Sequence, residues 1–264
     1  MNLGLKSKTA LVSGSTAGIG LAIAAALAAE GAKVIINGRT KARVDAALDQ
    51  LRKRAKDAEF HGVAADLGVA GGLEPIARQI PRVDILVNNL GIFEAKAFFH
   101  IPDEDWKRLF EVNVLSGVRL TRHYPPGMLE RNWGRVIFIS GESAQQIPAE
   151  MIHYGMTKTA QVAVARGLAE SFPNSGVTFN SILAGPTASE GAVNFIDDMV
   201  KQQGITKDEF EKRFFESARP SSLLKRFETP EEVAAVVAFV ASAEAAAING
   251  SAVRAEGGVI RSIF

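Results

Sequence analysis

The feature that most constrains this chain is a short apolar run that ends in glycine and opens a helix. Thr9 to Ser13 is apolar and β-prone, Gly14-Ser15-Thr16-Ala17-Gly18-Ile19-Gly20 follows, and Leu21 to Glu30 is an alanine-rich helical stretch with Gly31 as its stop. A buried parallel strand reads as a continuous apolar run, because helices cover both of its faces. The glycines permit a tight turn and a close approach to a pyrophosphate. The helix N-terminus adds free N–H groups and a favourable dipole. Without a ligand the same pattern is a plain tight strand-to-helix turn, so the turn alone leaves its use open.

The alternation then repeats. Lys33 to Asn37 reads as a second strand and Lys41 to Lys56 as a charged, half-exposed helix. Phe60 to Ala65 is a third strand ending at Asp66-Leu67, and Val83 to Val87 a fourth ending in Asn88-Asn89-Leu90-Gly91. Pro102-Asp103 opens a long helix through Trp106, Phe110, Val114 and Val118, which Pro125-Pro126-Gly127 perturbs or ends. Arg135 to Ile139, a helix around Tyr154, and Val177 to Leu183 continue the series into Ala184-Gly185-Pro186-Thr187. Thr229-Pro230-Glu231-Glu232 has capping-box spacing with proline at the first helical position, and Ala252 to Ala255 reads as a last strand before Gly257-Gly258. Strands alternating with helices predict an α/β fold: a doubly wound parallel sheet (Rossmann fold) in three α/β/α layers, one domain over 1–264. Residues 188–228 break the alternation. Phe195, Met199, Phe210, Phe214 and Phe215 recur there in short helical segments. An insertion at a strand's carboxyl end suits a cover for a substrate pocket, with most of these aromatics in ordinary packing.

Bulk properties exclude several roles. A net charge of +1 gives no footprint for nucleic acid or an anionic membrane. With no cysteine there is no disulfide framework or thiolate metal site, and His61, His100 and His123 have no metal-ligand spacing, so no metal is expected. Met1 to Lys8 lacks the apolar core of a secretory signal, and the apolar runs Leu21 to Ala29 and Val233 to Ala243 are too short to span a bilayer. A cytoplasmic location is the resulting expectation.

Ligands of a doubly wound sheet gather at the carboxyl ends of its strands, where Asp66 and the Asn88-Asn89 pair fall; such asparagines also commonly just tie down turns. The second strand ends Asn37-Gly38-Arg39-Thr40, with an arginine and no acid to hold ribose hydroxyls. An arginine suits a 2′-phosphate, which favours NADP(H) over NAD(H). Tyr154 and Lys158 lie four residues apart on one helix face, where an ammonium lowers a phenol's pKa. His153 is turned about 100° from Tyr154 and reads as packing or surface. Asn113 lies mid-helix, where an amide is usually exposed.

Together these residues resemble the short-chain dehydrogenase/reductase family. Gly14-x-x-x-Gly18-Ile19-Gly20 is similar to its cofactor turn, with Ser15 and Thr16 inside it, and Asp66-Leu67 to its adenine contact. Asn88-Asn89-Leu90-Gly91 is similar to its N-N-A-G motif with Leu for Ala, Asn113 to its helix asparagine, and Tyr154 with Lys158 to its Y-x-x-x-K. Asn180 and Gly185, ahead of Thr187, resemble its N…P-G segment with Ala184 for proline, and Gly257-Gly258 its C-terminal turn. The resemblance implies hydride transfer between a nicotinamide and a small alcohol or carbonyl compound. Tyr154 would exchange the proton, Lys158 would lower its pKa and hold the ribose, and Asn113 would hold a relay water. It also implies a homotetramer. The long helices around Asn113 and Tyr154 would pair with symmetry mates, and the apolar tail 259–264 suits another interface. The family's catalytic serine falls here at Gly141. Ser143, two positions on, returns to the same side of an extended segment and is favoured over Ser140, with a shifted loop, a water or lost activity as alternatives. Two other functions stay open: reduction of 3-oxoacyl thioesters, and a dinucleotide-binding sensor or scaffold that lost chemistry at Gly141.

Overall fold

The computed structural model describes residues 3–263. Met1, Asn2 and Phe264 lie outside the described residues, and with Phe264 the end of the tail expected at a subunit contact. The strands are β1 (Thr9–Val12), β2 (Lys33–Gly38), β3 (Phe60–Ala64), β4 (Ile85–Asn88), β5 (Gly134–Gly141), β6 (Val177–Ala184) and β7 (Ala252–Ala255). They form one seven-stranded sheet in the order β3-β2-β1-β4-β5-β6-β7, with every neighbouring pair parallel. The order reverses direction between β1 and β4, which opens a crevice at their carboxyl ends.

Helices α1 (Gly18–Ala29), α2 (Lys41–Arg54), α3 (Glu74–Gln79), α4 (Asp103–Phe110), α5 (Ser116–His123) and α6 (Pro125–Glu130) belong to the first half of the chain. The second half holds α7 (Ile152–Ser171), α8 (Glu190–Gln203), α9 (Lys207–Arg213) and α10 (Pro230–Val240). Side chains alternate across the sheet, so each strand feeds two cores. Val12, Ile36, Val87 and Ile139 pack with α1 and α10 on one face, while Leu11, Ile35, Leu86 and Phe138 pack with Leu120 and Ala165 on the other. The expected capping box is present: Thr229 Oγ1 accepts from Glu232 N at 3.2 Å, and the Glu232 carboxylate accepts from Thr229 N at 2.8 Å.

The single long helix expected after Pro102 is divided. A π turn, Glu111–Leu115, joins α4 to α5, and α6 starts at Pro125. One extra residue in that turn rotates Asn113 inward, so it is buried rather than exposed. The segment 188–228 folds as α8, α9 and a second π turn, Phe214–Ala218. Its start leans on the glycine turn, with Ser189 Cβ 3.1 Å from where a Gly18 side chain would begin.

Candidate active site

The glycine turn is built from both ends. Gly14 has φ +59°, a left-handed conformation that favours glycine. At Gly20 an added Cβ would stand 2.5 Å from Asn89 Nδ2 and 2.6 Å from Gly14 O, so any larger residue would displace the turn. Asn89 Nδ2 donates to the carbonyls of Ser13 and Gly14, both at 2.9 Å, and thereby holds the turn against the end of β4. Ser15, expected on the cofactor, is turned inward instead. Its hydroxyl donates to Val12 O at 2.6 Å and accepts from Asn37 N at 2.9 Å, tying β1 to β2. Asn37 accepts from Gly14 N at 3.2 Å and donates to Val63 and Ala65. Gly18, Ile19 and Gly20 line the cleft, and Thr16 packs over Gly38. Arg39 is exposed just past β2, with no hydrogen bond or ion pair among the described residues. Asp66 is exposed just past β3, where its carboxylate accepts from Gly68 N at 3.0 Å, and Leu67 beside it is buried. The turn and the uncapped N-terminus of α1 fit the pyrophosphate of a dinucleotide, with Arg39 exposed past the end of β2.

The cleft, with the glycine turn in its wall, has a volume of about 540 Å³ and runs between the strand ends and the 188–228 segment. Asn113 accepts from Ile92 N at 2.8 Å and donates to Thr157 Oγ1 at 3.0 Å, which links the loop after β4 to α7. Gly91 is close by: a side chain there would begin 3.6 Å from both Asn113 Oδ1 and Lys158 Nζ. Thr187, also in the cleft wall, donates to Gly185 O at 2.9 Å.

Lys158 Nζ donates to Ile139 O at 2.9 Å and lies 5.4 Å from the Tyr154 ring centre. Burial pushes this ammonium down to about 8, opposed by the charge of Glu142. Burial also pushes the Tyr154 phenol above its ordinary value. The Glu142 charge adds to that rise, while the Ser143 hydroxyl and Arg219 oppose it. The Lys158 ammonium thus faces a backbone carbonyl as well as the Tyr154 ring.

Gly141 ends β5, and Glu142–Ala144 curls into a single 3₁₀ turn rather than continuing extended. Ser143 therefore does not return to the Gly141 side along the expected extended path. Ser143 Oγ stands 3.3 Å from where a Gly141 side chain would begin. It is buried and close enough to Tyr154 to favour the phenolate, and it has no other hydrogen-bond partner among the described residues. Ser140 is spent elsewhere, donating to Lys158 O at 2.9 Å. His153 is fully buried and edge-on to Trp106, a packing position, and burial lowers its pKa against the opposing charges of Glu94 and Asp105.

Sequence reasoning missed an ion pair in this wall. Arg219 Nε donates to Glu142 Oε1 at 2.9 Å, and both side chains are buried. Glu142 carried a signal, since it follows a strand's carboxyl end. Arg219 carried none. Also missed was Glu228, whose carboxylate accepts from Gly185 N at 3.2 Å beneath the cleft.

The family profile described as Enoyl-(Acyl carrier protein) reductase matches residues 14–260. The chain belongs to the short-chain dehydrogenase/reductase family, and it is an oxidoreductase of that type. It is 47% identical to the uncharacterized oxidoreductase YvaG of Bacillus subtilis, over 100% of both chains. It is 32% identical to D-beta-hydroxybutyrate dehydrogenase of Cupriavidus necator, covering 96% of this chain and 98% of that one. L-Sorbose reductase from Gluconobacter frateurii, solved with NADPH and L-sorbose, superposes with a TM-score of 0.93 at 28% identity over 100% of both chains.

Proposed function

We propose that this protein is an NADP(H)-dependent oxidoreductase that interconverts a small carbonyl compound and its alcohol, with Tyr154 as proton donor and acceptor. The observation that carries the reading is the buried Ser143 hydroxyl beside the Tyr154 phenol, with no other hydrogen-bond partner among the described residues. Two hydroxyls converging on one place suit a substrate oxygen that gains charge in the transition state. The nicotinamide, when bound, supplies or accepts the hydride. Tyr154 gives its proton to the substrate oxygen in reduction and takes it back in oxidation. Ser143 holds that oxygen. Lys158 takes the ribose hydroxyls, and Asn113 fixes the loop that carries Gly91 as well as a water of the proton relay. Gly14, Gly18, Ile19 and Gly20 hold the pyrophosphate, Arg39 the 2′-phosphate, and Asp66 and Leu67 the adenine. Relatives named for D-beta-hydroxybutyrate and for L-sorbose with NADPH support a small oxygenated substrate and this cofactor.

The sensor or scaffold alternative rests on Gly141, and a Ser143 hydroxyl 3.3 Å from where a Gly141 side chain would begin weighs against it. The segment 188–228 roofs the substrate end of the cleft. A cytoplasmic homotetramer completes the reading. Phe99 at 94% exposure and Phe98 at 51% support burial against another subunit, which light scattering tests. The activity test is a screen of ketones, ketoses and acyl thioesters with NADPH and NADH. Consumption of NADPH with a carbonyl substrate, abolished in Tyr154→Phe, is expected. Tight NADPH binding with no turnover of any carbonyl would sink the proposal.

A further inference from the structure

Glu142 and Arg219 stand on the wall of the catalytic cleft, 7% and 8% exposed. Arg219 Nε donates to Glu142 Oε1 at 2.9 Å, and Nη1 reaches Ala218 O at 2.8 Å and Glu150 Oε1 at 3.4 Å. The remaining nitrogen, Nη2, makes no hydrogen bond among the described residues. Burial pushes the Glu142 carboxyl up, and Arg219 with the N–H groups of Ser143 and Glu142 itself opposes that. Glu142 and Arg219 line the same cleft as Tyr154 and Lys158.

A buried ion pair is an expensive way to hold a wall, because both charges lose water, and apolar residues of similar size often do as well. Its chemistry here selects a ligand. A hydroxyl group donates to a carboxylate and accepts from a guanidinium with one and the same oxygen. A plain alkyl chain would strip water from the pair and return nothing. A carboxylate substrate would meet two acids, Glu142 and Glu150, sharing one arginine.

We propose that Glu142 and Arg219 are the specificity-determining pair of this cleft and that they select neutral, polyhydroxylated ketones and the matching polyols. The assignment rests on the oxidoreductase reading above. The pair receives a hydroxyl on carbon close to the reacting one, while Tyr154 and Ser143 hold the carbonyl oxygen. Plain ketones, acyl chains and keto acids are disfavoured at this wall.

The experiment compares kcat/KM with NADPH across matched carbon frames: dihydroxyacetone, acetone and pyruvate, then a ketohexose and 2-hexanone. Each is measured in wild type, Glu142→Gln and Arg219→Gln, with NADPH binding measured for every variant to separate folding defects from recognition. In wild type the hydroxylated ketone is expected to exceed its plain counterpart by about 10²-fold or more, as for sites built around a substrate hydroxyl. In each variant that ratio is expected to collapse by roughly tenfold or more, with KM for the hydroxylated ketone carrying much of the loss. Wild type that reduces 2-hexanone as well as the ketohexose overturns the proposal. So do variants that lose the same factor on both ketones, because the pair is then a strut for the 188–228 segment. If plain ketones are reduced and hydroxylated ones are not, the specificity assignment falls and the oxidoreductase reading stands. If no carbonyl compound is reduced, both fall.

Discussion

Glu228→Gln should make this protein more stable above neutral pH. The carboxyl of Glu228 is buried where the 188–228 segment rejoins the sheet, with a backbone bridge to Thr187. It accepts a hydrogen bond from Gly185 N, but burial outweighs that contact, and the charges of Glu232, Glu256 and Glu142 oppose ionisation further. Its pKa is pushed from 4.5 to about 7. The folded form thus holds the proton more tightly than the unfolded chain does. The favourable contribution is complete below 4.5 and is lost as pH rises through about 7. At ~1.4 kcal/mol per pH unit the full displacement is an upper bound of about 3 kcal/mol. Solvent screening reduces this to about 1–2 kcal/mol. Glutamine keeps an acceptor for Gly185 N and removes the charge. For a chain of this size the gain corresponds to a Tm increase of roughly 2–4 °C. Thermal unfolding of both proteins at about pH 8 and about pH 4.5 reads it directly. The increase should be present at the higher pH and nearly absent at the lower. An equal increase at both, or none at pH 8, would refute the argument that an uncompensated charge resides here.

Ser143→Ala should lower single-turnover hydride transfer by roughly 10²-fold with little change in NADPH affinity. Ser140→Ala should instead cost about 1 kcal/mol of stability through the lost bond to Lys158 O; the reverse pattern would put the substrate hydroxyl at Ser140. Arg39→Ala should weaken NADPH binding by about 1.5–3 kcal/mol and leave NADH unchanged, measured as dissociation constants; equal wild-type affinities for the two cofactors would contradict this. Gly20→Ala should destabilise the fold by roughly 1–3 kcal/mol in urea titration and weaken both cofactors, because its Cβ has no space beside Asn89 and Gly14.

Much of the architecture was legible because it rests on short-range pattern. Apolar runs such as Lys33 to Asn37, the glycine turn and the Thr229 capping box each declare themselves within a few residues, and the parallel sheet follows from their alternation. The site was legible where it follows strand ends and less so where backbone detail decides. Helical periodicity gives no warning of the π turn that buries Asn113. Nor does the sequence announce the 3₁₀ turn after Gly141, which replaces the extended path and leaves Ser143 Oγ 3.3 Å from where a Gly141 side chain would begin. Ser15 looks like a cofactor contact in its motif, yet its hydroxyl is consumed between two strands. The Glu142–Arg219 pair joins residues 77 apart in the chain, through a segment with no repeating pattern, so nothing local announces it.

The tether from Asn89 to the glycine turn has a consequence for a chain emerging from the ribosome. β1 is made first but sits between β2 and β4, and its second neighbour is synthesised some 75 residues later. Until then Ser13 Oγ lacks the N–H groups of Asn89 and Leu90, and the carbonyl of Gly14 lacks its amide. The nucleotide-binding turn is thus complete in the sequence long before it is complete in space. A nascent chain halted after β3 would expose an apolar strand edge at its centre, the kind of surface that chaperones shield.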